Sequence, residues 1–124
     1  MPQRATKLLA AGFSGQAAAI VSGDIQDGVV AAGSTQATAT NIFGDIAVVT
    51  TAAASTGVIL GGATFQAGDG CIVHNLGANA VLVYPPVGGQ INALAVNAGF
   101  SVAAGKQALI WARTGTTFVA GVTA

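Results

Sequence analysis

A chain of 124 residues is the length of one ordinary domain, and it carries four basic and four acidic side chains with formal net charge zero. Nucleic acids and anionic membranes are bound by clustered Lys and Arg, so the expectation is no nucleic acid and no membrane partner. Only 6% of the residues are charged, against roughly a quarter to a third in a surface built to stay apart from its neighbours.

Most of the surface must therefore be Ala, Gly, Thr, Ser, Asn and Gln. Either much of it is buried against other protein, or it is a neutral Thr/Asn/Gly surface that water wets well enough. Mean hydropathy is raised mainly by small Ala residues, and no apolar stretch escapes Gly or polar interruption for the roughly 18 residues of a membrane span. The single cysteine, Cys71, excludes an internal disulfide.

Residues 1–23 read as an N-terminal arm followed by one short helix. Ser14 caps it, Gln16 to Ser22 form it and Gly23 ends it in the left-handed conformation. A secretory signal competes, since Arg4 and Lys7 precede the apolar Leu8–Phe13. That apolar centre is only about six residues long, short of the roughly 7–15 a signal needs.

From Asp24 onward short apolar runs alternate with turn residues. Asp27-Gly28 reads as a turn, Val29-Val30 as a strand, Gly33-Ser34 as a turn and Thr35–Ile42 as a strand. Asp45–Ala52 is a strand because Val48, Val49, Thr50 and Thr51 are all β-branched. Thr56–Leu60 follows. The densest stretch then runs Cys71–Leu76, Ala80–Tyr84, Gln90–Leu94, Phe100–Val102, Gln107–Arg113 and Thr117–Val122, separated by Gly-Ala-Asn, Pro-Pro, Gly-Gly, Ala-Gly-Lys and Thr-Gly-Thr. Val, Ile, Thr and aromatic residues in such runs favour strands, and the separators are turn formers. The expectation is an all-β fold, an antiparallel β-sandwich (jelly-roll-like) over residues 24–124, with the arm and one short helix at 1–23. In Gln107–Arg113 both alternation sets are apolar, so this strand must be covered on both faces, and a second subunit is one source of cover.

Reactive constellations are absent from this pattern. His74 is the sole histidine, and Cys71, three residues earlier, faces the other side of the same strand. Metal sites and activated thiols need such groups to converge, so His74 reads as an ordinary strand residue and Cys71 as a small buried hydrophobe. Asp24 and Asp27 are close in sequence but lie at a turn, where solvation and Asp-Gly geometry account for them. Gly105-Lys106-Gln107 lacks the upstream glycine and the hydroxyl of a phosphate loop. Trp111 reads as core, with a sugar-stacking platform as the alternative. No cofactor, metal or enzymatic activity is expected.

The phrase NLGANAVLVYPPVGGQINALAVNAGFSVAAGKQALIWARTGTTFVAG, from Asn75 to Gly121, resembles a family of small virion proteins of tailed bacteriophages. AGSTQATAT (Ala32–Thr40) and DIAVVTTA (Asp45–Ala52) add to the likeness. The resemblance implies a β-sandwich virion component made in the bacterial host cytoplasm. Its implied role is a homotrimeric decoration or cement protein on the phage head surface, bound to the major capsid protein. In that setting Leu8, Leu9 and Phe13 of the arm are the candidate attachment residues, followed by Tyr84, Pro85 and Pro86. The rival class is a receptor- or carbohydrate-binding module of a fibre, tail or bacterial surface assembly.

Overall fold

The computed structural model describes residues 10–12, 25–43, 45–61 and 65–123. Ten strands lie in this part: β1 Ile25–Val30, β2 Thr40–Ile42, β3 Ile46–Thr51, β4 Thr56–Leu60, β5 Gly70–Asn75, β6 Val81–Tyr84, β7 Gln90–Ile91, β8 Phe100–Val102, β9 Gln107–Ala112 and β10 Thr117–Val122. They form two sheets. One has six strands in the order β1-β3-β5-β9-β10-β7, the other four in the order β2-β4-β6-β8.

The expected antiparallel jelly-roll sandwich is not what forms. The chain is a β-solenoid of stacked parallel coils. Successive strands go to opposite sheets, so β1, β3 and β5 stack in parallel in one sheet while β2, β4 and β6 stack in parallel in the other. Parallel neighbours need a crossover between them, commonly a helix; here each crossover is itself a strand of the facing sheet. Turn formers between short strands suit the corners of such coils as well as they suit the turns of an antiparallel sandwich. After three coils the direction changes: β8 pairs antiparallel with β6, β9 with β5, and β10 with β9, while β7 closes the far edge parallel to β10.

The two inner faces make one core of small β-branched and aliphatic side chains. Ala47, Val49, Val73, Cys71, Ala108 and Ile110 come from the six-stranded sheet, and Ile42, Val58, Leu60, Val81, Val83 and Val102 from the four-stranded one. Each fully buried Val, Leu or Ile contributes about 1.5–3 kcal/mol, and alternation along each strand places them all inward. Phe65, from the connection before β5, meets Phe118 edge to face at 6.1 Å and closes the core beside β10.

Several local expectations change. Asp27-Gly28 is not a turn but a bulge in β1: the register with β3 shifts between Gln26 and Val29, Gly28 has φ 69°, and Asp27 Oδ1 accepts from Gly28 N at 2.8 Å. Gly supplies that positive φ without strain. The strand expected over Thr35–Ile42 is instead a 3-10 turn at Gln36–Thr38 followed by the shorter β2. The helix expected at Gln16–Ser22, and the arm residues Leu8, Leu9 and Phe13, fall outside the described residues.

Among the described residues, one polar side chain is sealed in the core. Asn75 is 0% exposed, and its Nδ2 donates to Asn79 O at 2.8 Å and to Val102 O at 3.0 Å. Its Oδ1 accepts from Gly77 N at 2.9 Å. The amide thereby ties the turn between β5 and β6 to β8 of the facing sheet, with both its protons and its oxygen engaged.

Candidate functional site

The outer faces of the two sheets differ. On the four-stranded sheet, Tyr84 points away from the core, yet it is buried. Its ring lies over Gly57, where an added Cβ would stand 2.7 Å from Cε2, and against Gly99. The segment 31–39 packs beside it: Ala32 bridges Gly57, Gln36 Nε2 donates to Pro85 O at 2.8 Å, and Tyr84 OH reaches Ser34 O at 3.5 Å. Asn97 Oδ1 accepts from both Gln36 Nε2 and Gly88 N, which fixes the loops on either side of β7. Tyr84, Pro85 and Pro86 are all buried by this packing. As attachment residues they offer a partner little surface; their role is to seat one loop on another.

The outer face of the six-stranded sheet carries no such cover among the described residues. Ile25, Ile46, Ile72 and Leu109 stand in register across β1, β3, β5 and β9, forming one apolar row. The next rung holds Gly70, Trp111 and Val119 on β5, β9 and β10. Trp111 is 54% exposed, so it is not the core residue that was expected. The strand does have two apolar faces, but only Ala108, Ile110 and Ala112 point inward.

Around Trp111 the face dips into a groove of about 310 Å³. Leu109 and Trp111 line it from β9, Gly70, Cys71 and Ile72 from β5, Ile46 from the start of β3 and Asp45 from just before it. Its walls are apolar apart from the Asp45 carboxylate. One end of the face turns polar, where His74 Nδ1 donates to Gln107 Oε1 at 3.0 Å.

Cys71 lies beneath this surface, its side chain in the core. Burial pushes its thiol up to about 12, and the nearby Asp45 carboxylate adds to the rise. A thiol held protonated in this way is a poor nucleophile. His74 sits on the opposite face of β5, as strand alternation requires, so the two do not meet. No group of three or more His, Cys, Asp or Glu gathers among the described residues. Asp24 lies outside them and Asp27 is occupied in the bulge.

The sequence reading missed this surface because it assigned Trp111 to the interior. The available signal was Leu109 and Trp111 alternating against three smaller inward residues, together with the outward isoleucines. Comparison with protein-family models, with curated proteins and with solved structures finds no match.

Proposed function

We propose that this chain is a non-enzymatic structural subunit of a tailed-bacteriophage particle. In this reading it is a homotrimeric head decoration protein that binds the major capsid protein and stabilises the shell. The observation that carries the assembly part is the largely apolar outer face of the six-stranded sheet, a surface suited to burial against protein. The particle and the trimer come from the resemblance of Asn75–Gly121 to virion proteins, a stretch that supplies β6 to β10 here. A solenoid serves such a role as well as a sandwich does, since stacked coils give a stiff body with extended faces.

A subunit bound at many shell sites stabilises the shell by mass action. The test is to purify particles and measure the copies of this chain relative to the major shell protein. Stoichiometric presence on heads, with lower heat resistance in particles lacking it, is the expected result. Absence from particles, or presence only at the tail tip, overturns the head assignment.

The exposed indole of Trp111 favours a second reading, a receptor- or carbohydrate-binding module, because sugars stack on flat aromatic faces. Sugar sites also need polar groups to meet hydroxyls, and the walls around Trp111 supply chiefly hydrocarbon. Binding to a glycan panel, lost in Trp111→Ala, would decide for this alternative.

A further inference from the structure

We propose that the outer face of the six-stranded sheet is the surface through which copies of this chain meet, with Trp111 at its centre. The inference rests on reading the chain as an oligomeric subunit, but not on its place in a particle.

Area is the first argument. The exposed parts of Ile25, Ile46, Leu109, Trp111 and Val119 present about 350 Å² of apolar surface, taking ~120 Å² for a whole aliphatic side chain and ~250 Å² for the indole. One side of a standard protein interface buries about 800 Å², a little over half of it apolar. The face therefore supplies most of the apolar share of one full side before any loop is added.

Charge is the second. Away from the bulge at Asp27, the outward positions of β3, β5, β9 and β10 are apolar, small or neutral polar, from Ile46 and Val48 on β3 to His74 on β5 and Gln107 on β9. None is an acid or a permanent cation; Asp45, just before β3, is the one carboxylate at the groove, so like-charge repulsion between two such faces is confined to that group. A strongly charged partner would find little here to pair with beyond the Asp45 carboxylate at the groove, whereas an identical face matches it in polarity. The arrangement also has the anatomy of an interface: an apolar centre holding the one tryptophan, a groove of about 310 Å³ beside it able to take a neighbour's side chain, and a polar end at His74 and Gln107. Tryptophan is among the residues on which binding energy concentrates.

The chain's single tryptophan is its own reporter. The full chain is examined by sedimentation over nanomolar to tens-of-micromolar concentration while Trp emission is recorded. The expected result is an oligomer with blue-shifted emission that moves red as dilution releases the 11.9 kDa monomer. Trp111→Ala and Leu109→Glu, both at exposed positions, should keep the far-UV circular dichroism of the parent. Each should raise the dissociation constant by about 30-fold or more, as a hot-spot residue does. Val87→Glu, in the exposed loop between β6 and β7, should leave it unchanged. A monomer with water-exposed emission at every concentration overturns the proposal. So does a monomer with blue-shifted emission, which would mean that the chain's own N-terminal residues cover the face. An oligomer that Trp111→Ala and Leu109→Glu leave intact overturns it too, by placing the contact elsewhere.

Discussion

Trp111 lies across Gly70 on the neighbouring strand, so closely that a Cβ added to Gly70 would stand 2.5 Å from the indole Cζ3. The ring uses the missing side chain as its seat. Gly70→Ala must push the ring aside, and because the ring is half exposed it has somewhere to go. The expected outcome is a changed near-UV circular dichroism and Trp emission with a loss of folding stability under about 1 kcal/mol, the range of a surface change. A loss several times larger would mean that the ring is held as rigidly as a core residue.

Asn75 gives the opposite case, a side chain whose surroundings cannot yield. Asn75→Ala leaves the carbonyls of Asn79 and Val102 and the N–H of Gly77 short of partners inside the protein. The bonds to Val102 and Gly77 are buried and that to Asn79 only partly; each stranded buried group costs about 1–3 kcal/mol, so the loss should be on the order of 2 kcal/mol or more by urea unfolding. Asn75→Asp adds a sign. A carboxylate facing two carbonyl oxygens is disfavoured, while its protonated form can donate to one of them, so its folded pKa is raised. The stability of this variant should therefore fall as pH rises from 4 to 7, unlike that of the parent; equal stability at both pH values would contradict the arrangement described.

How much of this was legible beforehand differs by level. The strands Thr56–Leu60, Phe100–Val102 and Thr117–Val122 sit where residue type placed them, because β-branched runs between turn formers are a local signal. Pairing is not local. Nothing in DIAVVTTA says whether Val49 meets a strand running with it or against it; the partner is settled by which sheet the next strand joins. The burial of Tyr84-Pro85-Pro86 was equally hidden, since it depends on Gln36, far away in the chain, donating to Pro85 O. Trp111 was misplaced for a related reason: strand alternation divides residues into two faces but does not say which face is the core, and size favoured the wrong one. By contrast, the separation of Cys71 from His74 follows from alternation alone.

Cys71 should report on the core through alkaline pH. Its thiol is raised from 9.0 to about 12 in the folded chain, chiefly by burial. Well below that ordinary value of 9.0, both folded and unfolded chains hold the proton and the group contributes no pH dependence. Above that, the unfolded thiol ionises first, so folding stability falls as pH rises until the folded pKa is reached. The full shift is worth at most about 4 kcal/mol. The difference in unfolding free energy between the parent and Cys71→Ala, which cancels the other groups titrating there, should therefore move in favour of the variant between pH 9 and 11. Native-state alkylation at neutral pH should be far slower than after unfolding. A parent and variant that fall in parallel would show that the thiol ionises without resistance in the fold.

The last prediction concerns attachment, and it keeps the N-terminal arm as the element that grips the shell. Leu8, Leu9 and Phe13 are the largest apolar residues of the first 13 after Met1, set among small or polar neighbours. Every residue of the described core lies from Val29 to Phe118, so deleting residues 2–13 removes none of them. The shortened chain should fold with the parent's far-UV circular dichroism and remain associated through the outer face of its six-stranded sheet. It should nevertheless bind decoration-free heads far more weakly, because short arms commonly attach by adding a strand to a neighbour's sheet or by filling an apolar groove, and both routes are lost with these residues. Leu8→Asp with Leu9→Asp is the companion variant: it keeps the arm's length and backbone, so weak binding here points to apolar docking, whereas retained binding points to main-chain pairing. Heads bound by the parent should survive heating better than heads incubated with the deletion variant. If the deletion variant binds heads as tightly as the full chain, the arm is not the grip. The contact must then be sought on the solenoid itself, first at the exposed Val87 and Val96 in the loops flanking β7, since Tyr84, Pro85 and Pro86 are already buried within the protein.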